Sequence, residues 1–179
     1  MKHRILVAYA SRYGATREIA EAIAGVLGEH GHEVEVRTAE EVTKMTPYDA
    51  VILGSAIYSG NWLPEARELF ESFQEELVTR SVWLFSSGPT VTADPVEVMR
   101  GWTFPEALAP LAAKVKAEGI ALFAGKIDAE KLSAQDWLIN RSMRGVVGDF
   151  RNWEQIAAWA KRIATILEES RPFSTPTQP

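Results

Sequence analysis

The sequence predicts a doubly wound α/β fold: a five-stranded parallel sheet in the order 2-1-3-4-5, helices on both faces, and an insert before the last helix. Three observations predict it. Short apolar runs alternate with stretches of helical period along the whole chain. The third of those runs is apolar without polar alternation, as a strand buried on both faces must be. The loops after runs one, three and four are built from glycine, hydroxyl and aromatic residues, at the strand ends where open α/β sheets bind ligands.

Residues 4–9 form the first apolar run, and Ile19, Ala20, Ile23, Ala24 and Leu27 then share one helical face that Gly28 and Gly31 terminate. Val34 and Val36 mark a second, shorter strand, and residues 50–54 a third. Pro64 suits a first helical turn, followed by an apolar stripe of Ala66, Phe70, Phe73 and Leu77. Residues 82–85 and 120–124 read as strands four and five. Asn152 with Gln155 three positions on matches a capping box, opening a helix that buries Ile156, Ala160, Ile163 and Leu167. Two stretches exceed a minimal domain of this kind, residues 90–102 and the insert at about 128–151.

A chain of 179 residues suits one domain, here residues 1–170, with a proline- and hydroxyl-rich tail at 171–179 that reads as disordered. Apolar residues at 46 % and charged residues at 24 % are ordinary for a globular protein, and a net charge of -5 gives no electrostatic reason to bind nucleic acid. Cysteine is absent, so disulfides, thiol nucleophiles and thiolate-held clusters are excluded, and redox chemistry has to sit on a cofactor. The chain enters a strand-like run at once, and no apolar run approaches the ~20 residues of a membrane span, which makes a cytoplasmic location the expectation.

The first loop reads Ser11, Arg12, Tyr13, Gly14, Ala15, Thr16 and runs straight into a helix. Hydroxyls at Ser11 and Thr16, free N–H groups at the helix start and the tight turn allowed by Gly14 suit a phosphate. A plain capped strand-to-helix turn uses the same residues. Arg12 fits either a phosphate contact or solvent. The dinucleotide and nucleoside-triphosphate glycine signatures are both missing. Strands one and three end in Tyr9-Ala10 and Gly54-Ser55, without the acidic residues that a phosphorylatable receiver domain needs. The second loop, Ser55, Ala56, Ile57, Tyr58, Ser59, Gly60, Asn61, Trp62, offers two rings and small residues that can grip a planar group, or that can pack on the following helix. The third, Ser86, Ser87, Gly88, Pro89, Thr90, supplies backbone and hydroxyl groups for the rim of a polar ring.

The first loop is similar to the phosphate loop of flavodoxins, and the chain over residues 2–168 resembles the flavodoxin-like family that includes menaquinone-dependent protoporphyrinogen oxidase. The resemblance is carried by residues 11–16, 54–62, Phe123-Ala124-Gly125, and Asn152-Trp153-Glu154-Gln155, with an extra segment before the last helix. It implies FMN as cofactor, its phosphate on Ser11, Tyr13, Gly14, Ala15 and Thr16, with Arg12 beside it. It places the isoalloxazine between Ala56, Ile57, Tyr58, Ser59, Gly60 and Trp62 on one side and Ser86, Ser87, Gly88, Pro89 and Thr90 on the other. The family's insert is longer, more basic and more aromatic than residues 128–151, so a porphyrinogen substrate and a membrane-linked acceptor do not follow from it.

Three functions share this fold: an oxidoreductase acting on a small molecule such as a porphyrinogen or quinone, an electron carrier between protein partners, and an interaction module without turnover. The third loop has no aromatic residue before Trp102, and residues 55–64 contain no carboxylate, which leans towards the enzyme. Asp94, Glu97 or Glu130 folding back would reverse the second point. In the insert, Leu132, Ile139, Met143 and Val146 form one helical face with Trp137, Arg141 and Arg144 close by. That face either packs on its own domain or contacts a partner or membrane surface. His3, His30 and His32 lack ligand spacing and are assigned no role.

Overall fold

The computed structural model describes residues 2–142 and 146–169. In chain order the elements are β1 (Arg4–Ala10), α1 (Ala15–Glu29), β2 (Glu33–Thr38), β3 (Ala50–Tyr58), β4 (Asn61–Trp62), α2 (Pro64–Ser72), α3 (Gln74–Leu77), β5 (Ser81–Ser87), α4 (Pro95–Val98), α5 (Ala109–Lys114), β6 (Gly119–Phe123), β7 (Lys126–Ile127), α6 (Ala134–Ser142), β8 (Gly148–Asp149) and α7 (Trp153–Glu169). The main sheet runs β2-β1-β3-β5-β6, every neighbouring pair parallel. With the two-residue β4 set aside, this is the predicted 2-1-3-4-5 order.

Strand alternation divides the core between the two faces of the sheet. Leu6, Ala8, Val51, Leu53, Val82 and Leu84 pack with Ala66, Phe70 and Leu77 on one face. Ile5, Val7, Ile52, Trp83, Phe85 and Phe123 meet α1 and α7 on the other, through Ile19, Ile23, Leu27, Ile156, Trp159 and Ile163. Gly54 belongs to the packing: a Cβ there would lie 2.0 Å from the Phe85 ring. The Asn152 side chain caps α7 by accepting from the Gln155 N–H at 3.0 Å, and Pro64 opens α2.

Two sequence expectations need correction. The third strand does not stop at residue 54; it continues to Tyr58 and returns as β4 through a two-residue turn with Ser59 at φ 52° and Gly60 at φ 75°. The positive φ of Ser59 is what hid this hairpin, because serine is a weak signal for that conformation. The insert also lacks the single helical face read from its sequence. α6 covers Ala134–Ser142 only, so Leu132 and Val146 lie off it, while Met143 and Arg144 lie outside the described residues. Trp137 and Leu138 are 40 % and 61 % exposed, so apolar side chains of α6 face solvent. The tail at 171–179 also lies outside the described residues. Among the described residues, no helix is long and apolar enough to cross a membrane.

Candidate cofactor site at the carboxyl edge of the sheet

The loops after β1, β3 and β5 meet at one edge because these strands are adjacent and parallel. Gly14 shapes the first. Its φ of 89° is left-handed and turns the chain from β1 directly into α1. The Ser11 hydroxyl accepts from the Gly14 N–H at 3.0 Å, closing the loop on itself. Ala15 and Thr16 open a helix of 15 residues, and their N–H groups have no acceptor within it. The helix dipole adds positive potential at that point, so an anion is the natural ligand. Thr16 is 1 % exposed and forms the floor of the loop.

Arg12 and Tyr13 engage other segments. The Tyr13 hydroxyl donates to the Asp136 carboxylate of α6, and Arg12 Nη1 lies 3.4 Å from both of its oxygens. The Arg12 guanidinium also sits 4.3 Å from the centre of the Tyr58 ring, a cation–π contact. The Tyr13 hydrogen bond, with Arg12 beside it, holds the Asp136 carboxyl below its ordinary range. Burial pushes the Tyr58 hydroxyl up, against the pull of Arg12.

In the second loop, Ala56 and Ile57 are half-buried while Tyr58, Ser59 and Gly60 are exposed around the hairpin turn. Trp62 differs from these neighbours in facing the interior. Its ring is 4 % exposed, packed edge-on to Phe104 at 5.0 Å and against Phe70, with its indole N–H donating to Ser86 Oγ at 2.9 Å. Returning along β4 turns the side chain into the core. Ser55 is likewise structural: its hydroxyl accepts from the Leu63 N–H and donates to the Ala56 carbonyl.

In the third loop Ser86 and Ser87 are buried as the last residues of β5, and Gly88, Pro89 and Thr90 are half-buried at the rim. Gly88 and Gly125 pack backbone to backbone; a Cβ on Gly125 would meet the Gly88 carbonyl oxygen at 2.9 Å. This explains why a glycine follows β6. The Asp94 carboxylate is committed to capping α4, accepting from the N–H groups of Val96 and Glu97 at 2.7 and 3.3 Å. Beside this loop lies a cleft of about 640 Å³ lined by Thr92, Asp94, Ala124, Phe150 and Trp153 among others.

Two residues at the site escaped the sequence reading. Asp136 reaches back to the first loop. Arg151, with its side chain 2 % exposed, donates to Asp149, to Glu18 at 2.7 Å and to the Ala15 carbonyl at 3.2 Å, and stacks on Trp153. Neither had a local signal; the pairing spans more than a hundred residues of chain.

The family model described as "Flavodoxin domain" matches residues 6–148. Among solved structures, oxidised flavodoxin 2 from Bacillus cereus shares 24 % identity over 92 % of this chain and 99 % of its own, at a TM-score of 0.57. A flavodoxin from the domain Archaea shares 16 % over 92 % and 99 %, at 0.55. The rubredoxin:oxygen oxidoreductase of Desulfovibrio gigas shares 15 % identity at a TM-score of 0.62, covering 93 % of this chain but only 36 % of the larger protein. No curated protein matches by sequence.

Proposed function

This chain belongs to the flavodoxin domain family, and from that premise we propose that it is an FMN-dependent oxidoreductase passing electrons between its flavin and a small molecule of porphyrinogen or quinone type. FMN is the cofactor that membership of this family assigns to the chain, and flavodoxin-like proteins transfer electrons to redox partners. The donor set fits that cofactor. One helix N-terminus with a left-handed glycine offers one anion site, which suits a single phosphate group. Ser11, Tyr13, Gly14, Ala15 and Thr16 at the head of α1 would hold the phosphate. Residues 56–60 and 86–90 flank the isoalloxazine. Arg12 and Tyr13 support the loop through Asp136, and Trp62 braces the end of β5 through Ser86. Bound FMN supplies the electron-accepting ring; the protein supplies its position and the access to it.

The observation that carries the enzyme reading is that the second and third loops together present a single ring, Tyr58, at the site surface. Tyr58 is 36 % exposed there, Trp62 is withdrawn into the core, and residues 86–90 contain no aromatic side chain. The third loop would thus bring no aromatic ring of its own to the flavin, and the adjoining cleft of about 640 Å³, lined by Phe150 and Trp153 among others, is of a size that admits a small molecule. The test is turnover by the flavin-loaded protein with a soluble naphthoquinone and with a porphyrinogen. Multiple turnovers with either support the reading, and reduction of protein acceptors alone makes the chain a carrier. The carrier reading has one observation of its own: Trp137, Leu138, Val147 and Trp153 are 40–61 % exposed and belong to the insert and the start of α7.

A further inference from the structure

The insert leaves the domain at β7 and returns at β8, whose antiparallel pairing sets Lys126 opposite Asp149 and Ile127 opposite Gly148. Between and just beyond these strands it is tied to the first loop twice. At the head of α6, Asp136 accepts from the Tyr13 hydroxyl and lies 3.4 Å from Arg12 Nη1. The Tyr13 oxygen in turn accepts from the Ser133 N–H at 3.2 Å, and the Ser133 hydroxyl accepts from the Asp136 N–H at 3.1 Å. The Tyr13 hydroxyl is thus built into the opening turn of α6. Just after β8, the buried Arg151 guanidinium binds the Ala15 carbonyl and the Glu18 carboxylate in the first turn of α1. Of the four tethered residues, 12, 13 and 18 bracket the Gly14–Thr16 segment and Ala15 lies within it.

A loop that turns on a glycine is intrinsically loose, and ordering it costs entropy each time a ligand binds. Ties that fix it beforehand remove that cost. We infer that residues 133–136 and 149–151 of the insert strap the phosphate end of the cofactor site, with Asp136 and Arg151 as positioning residues that hold the first loop in its anion-binding shape. The two ties differ in strength. Arg151 is enclosed, with its side chain 2 % exposed, and has carboxylate partners on either side of it. The Asp136 side chain is 18 % exposed and depends on the Tyr13 hydroxyl and a long contact to Arg12, so it is the tie that can be released. Arg12 extends the same network to the second loop through Tyr58. The Asp136 charge would by itself repel a phosphate; the adjacent guanidinium of Arg12 offsets it.

The inference rests on the FMN reading above, so its test compares two flavins on the full chain and adds a measurement without flavin. Asp136→Ala and Tyr13→Phe should each speed FMN dissociation about tenfold, the value of one hydrogen bond to a charged group. The double variant should be no faster than the quicker single one, because both remove the same contact. Riboflavin, which lacks the phosphate, should bind the variants as it binds the parent protein. In the flavin-free protein, amide hydrogens of residues 11–16 should exchange faster in Asp136→Ala than in the parent, with circular dichroism unchanged. FMN dissociation within about twofold of the parent, or riboflavin affinity falling as far as FMN affinity, overturns the strap. Failure of the parent protein to bind FMN overturns the reading beneath it instead. The strap then stands or falls on exchange in residues 11–16.

Discussion

The two ends of the parallel sheet are built by opposite rules. At the carboxyl end, Tyr58 and Arg12 stand partly in solvent, and the first N–H groups of α1 are left for a ligand. At the amino end the chain is sealed. His3 and His32 are 4 % and 6 % exposed with rings 5.5 Å apart; the His3 N–H donates to His32 Nδ1 at 3.3 Å, and His3 Nε2 lies 3.0 Å from the Leu167 carbonyl. His32 Nε2 finds no hydrogen-bond partner among the described residues. One end keeps donors free and the other gives up a polar atom to packing. Substitutions at the first should register in binding, and at the second in stability.

The largest expected effect is at Ser11. Ser11→Glu puts a carboxylate against the phosphate and should weaken FMN binding by about a hundredfold or more, while apoprotein melting moves by no more than about 2 °C. Titration of apoprotein with FMN beside a thermal melt checks both halves; retained affinity would place the phosphate elsewhere. The same change at Thr16 would confuse the two ends, because a carboxylate at a 1 % exposed position threatens folding itself.

Next comes Trp62, which sits near the ligand edge but belongs to the core. Trp62→Phe strands the buried Ser86 hydroxyl and should cost about 1–2 kcal/mol of stability, leaving FMN affinity nearly unchanged. A large loss of FMN binding in a variant of normal stability would return the ring to the site.

At the amino end, burial, reinforced by the neighbouring His3, lowers the His32 pKa from its ordinary 6.5. The unfolded chain therefore takes up the proton first as pH falls. Stability from this source is complete above about pH 6.5 and declines on acidification down to the folded-state value. Denaturant melts at about pH 7.5 and 5.5 should show the decline, and His32→Asn, which keeps an acceptor in the Nδ1 position, should flatten it. An equal slope in the variant would assign the effect to other groups. The smallest effect is at the hairpin turn. Gly60→Ala at φ 75° should cost about 1 kcal/mol and alter FMN affinity only if the turn touches the ring.

What was legible in the sequence follows the range of the forces involved. The order of the sheet could be read because β1, β3, β5 and β6 are short apolar runs separated by amphipathic helices, a pattern written locally. The three loops could be read because glycine and hydroxyl residues carry their conformational preferences with them. The packing of Trp62 could not be read, because a loop ring and a core ring look alike until the hairpin sets which way it faces. Asp136 and Arg151 were invisible: each acts through partners 123 and 136 residues away, and neither lies in a periodic pattern. The insert face stayed open between its two readings because periodicity reveals a face without revealing what it meets; Trp137 beside it is 40 % exposed.

The division of the core between two faces has a consequence for how the chain acquires its structure. The face that carries α2 and α3 can be covered by residues that precede β6. The opposite face cannot: Trp83, Phe85 and Phe123 are roofed by Trp159 of α7, with ring centres 5.6–6.2 Å apart in the Phe–Trp pairs. During synthesis that surface stays wet until residues 153–169 have left the ribosome, however early the strands associate. Each large side chain that α7 buries contributes about 2 kcal/mol before entropy is charged, so closure of the helix is a late and cooperative event. A nascent chain halted before Trp153 would display a broad aromatic face, and such a face is the kind of surface that chaperones bind.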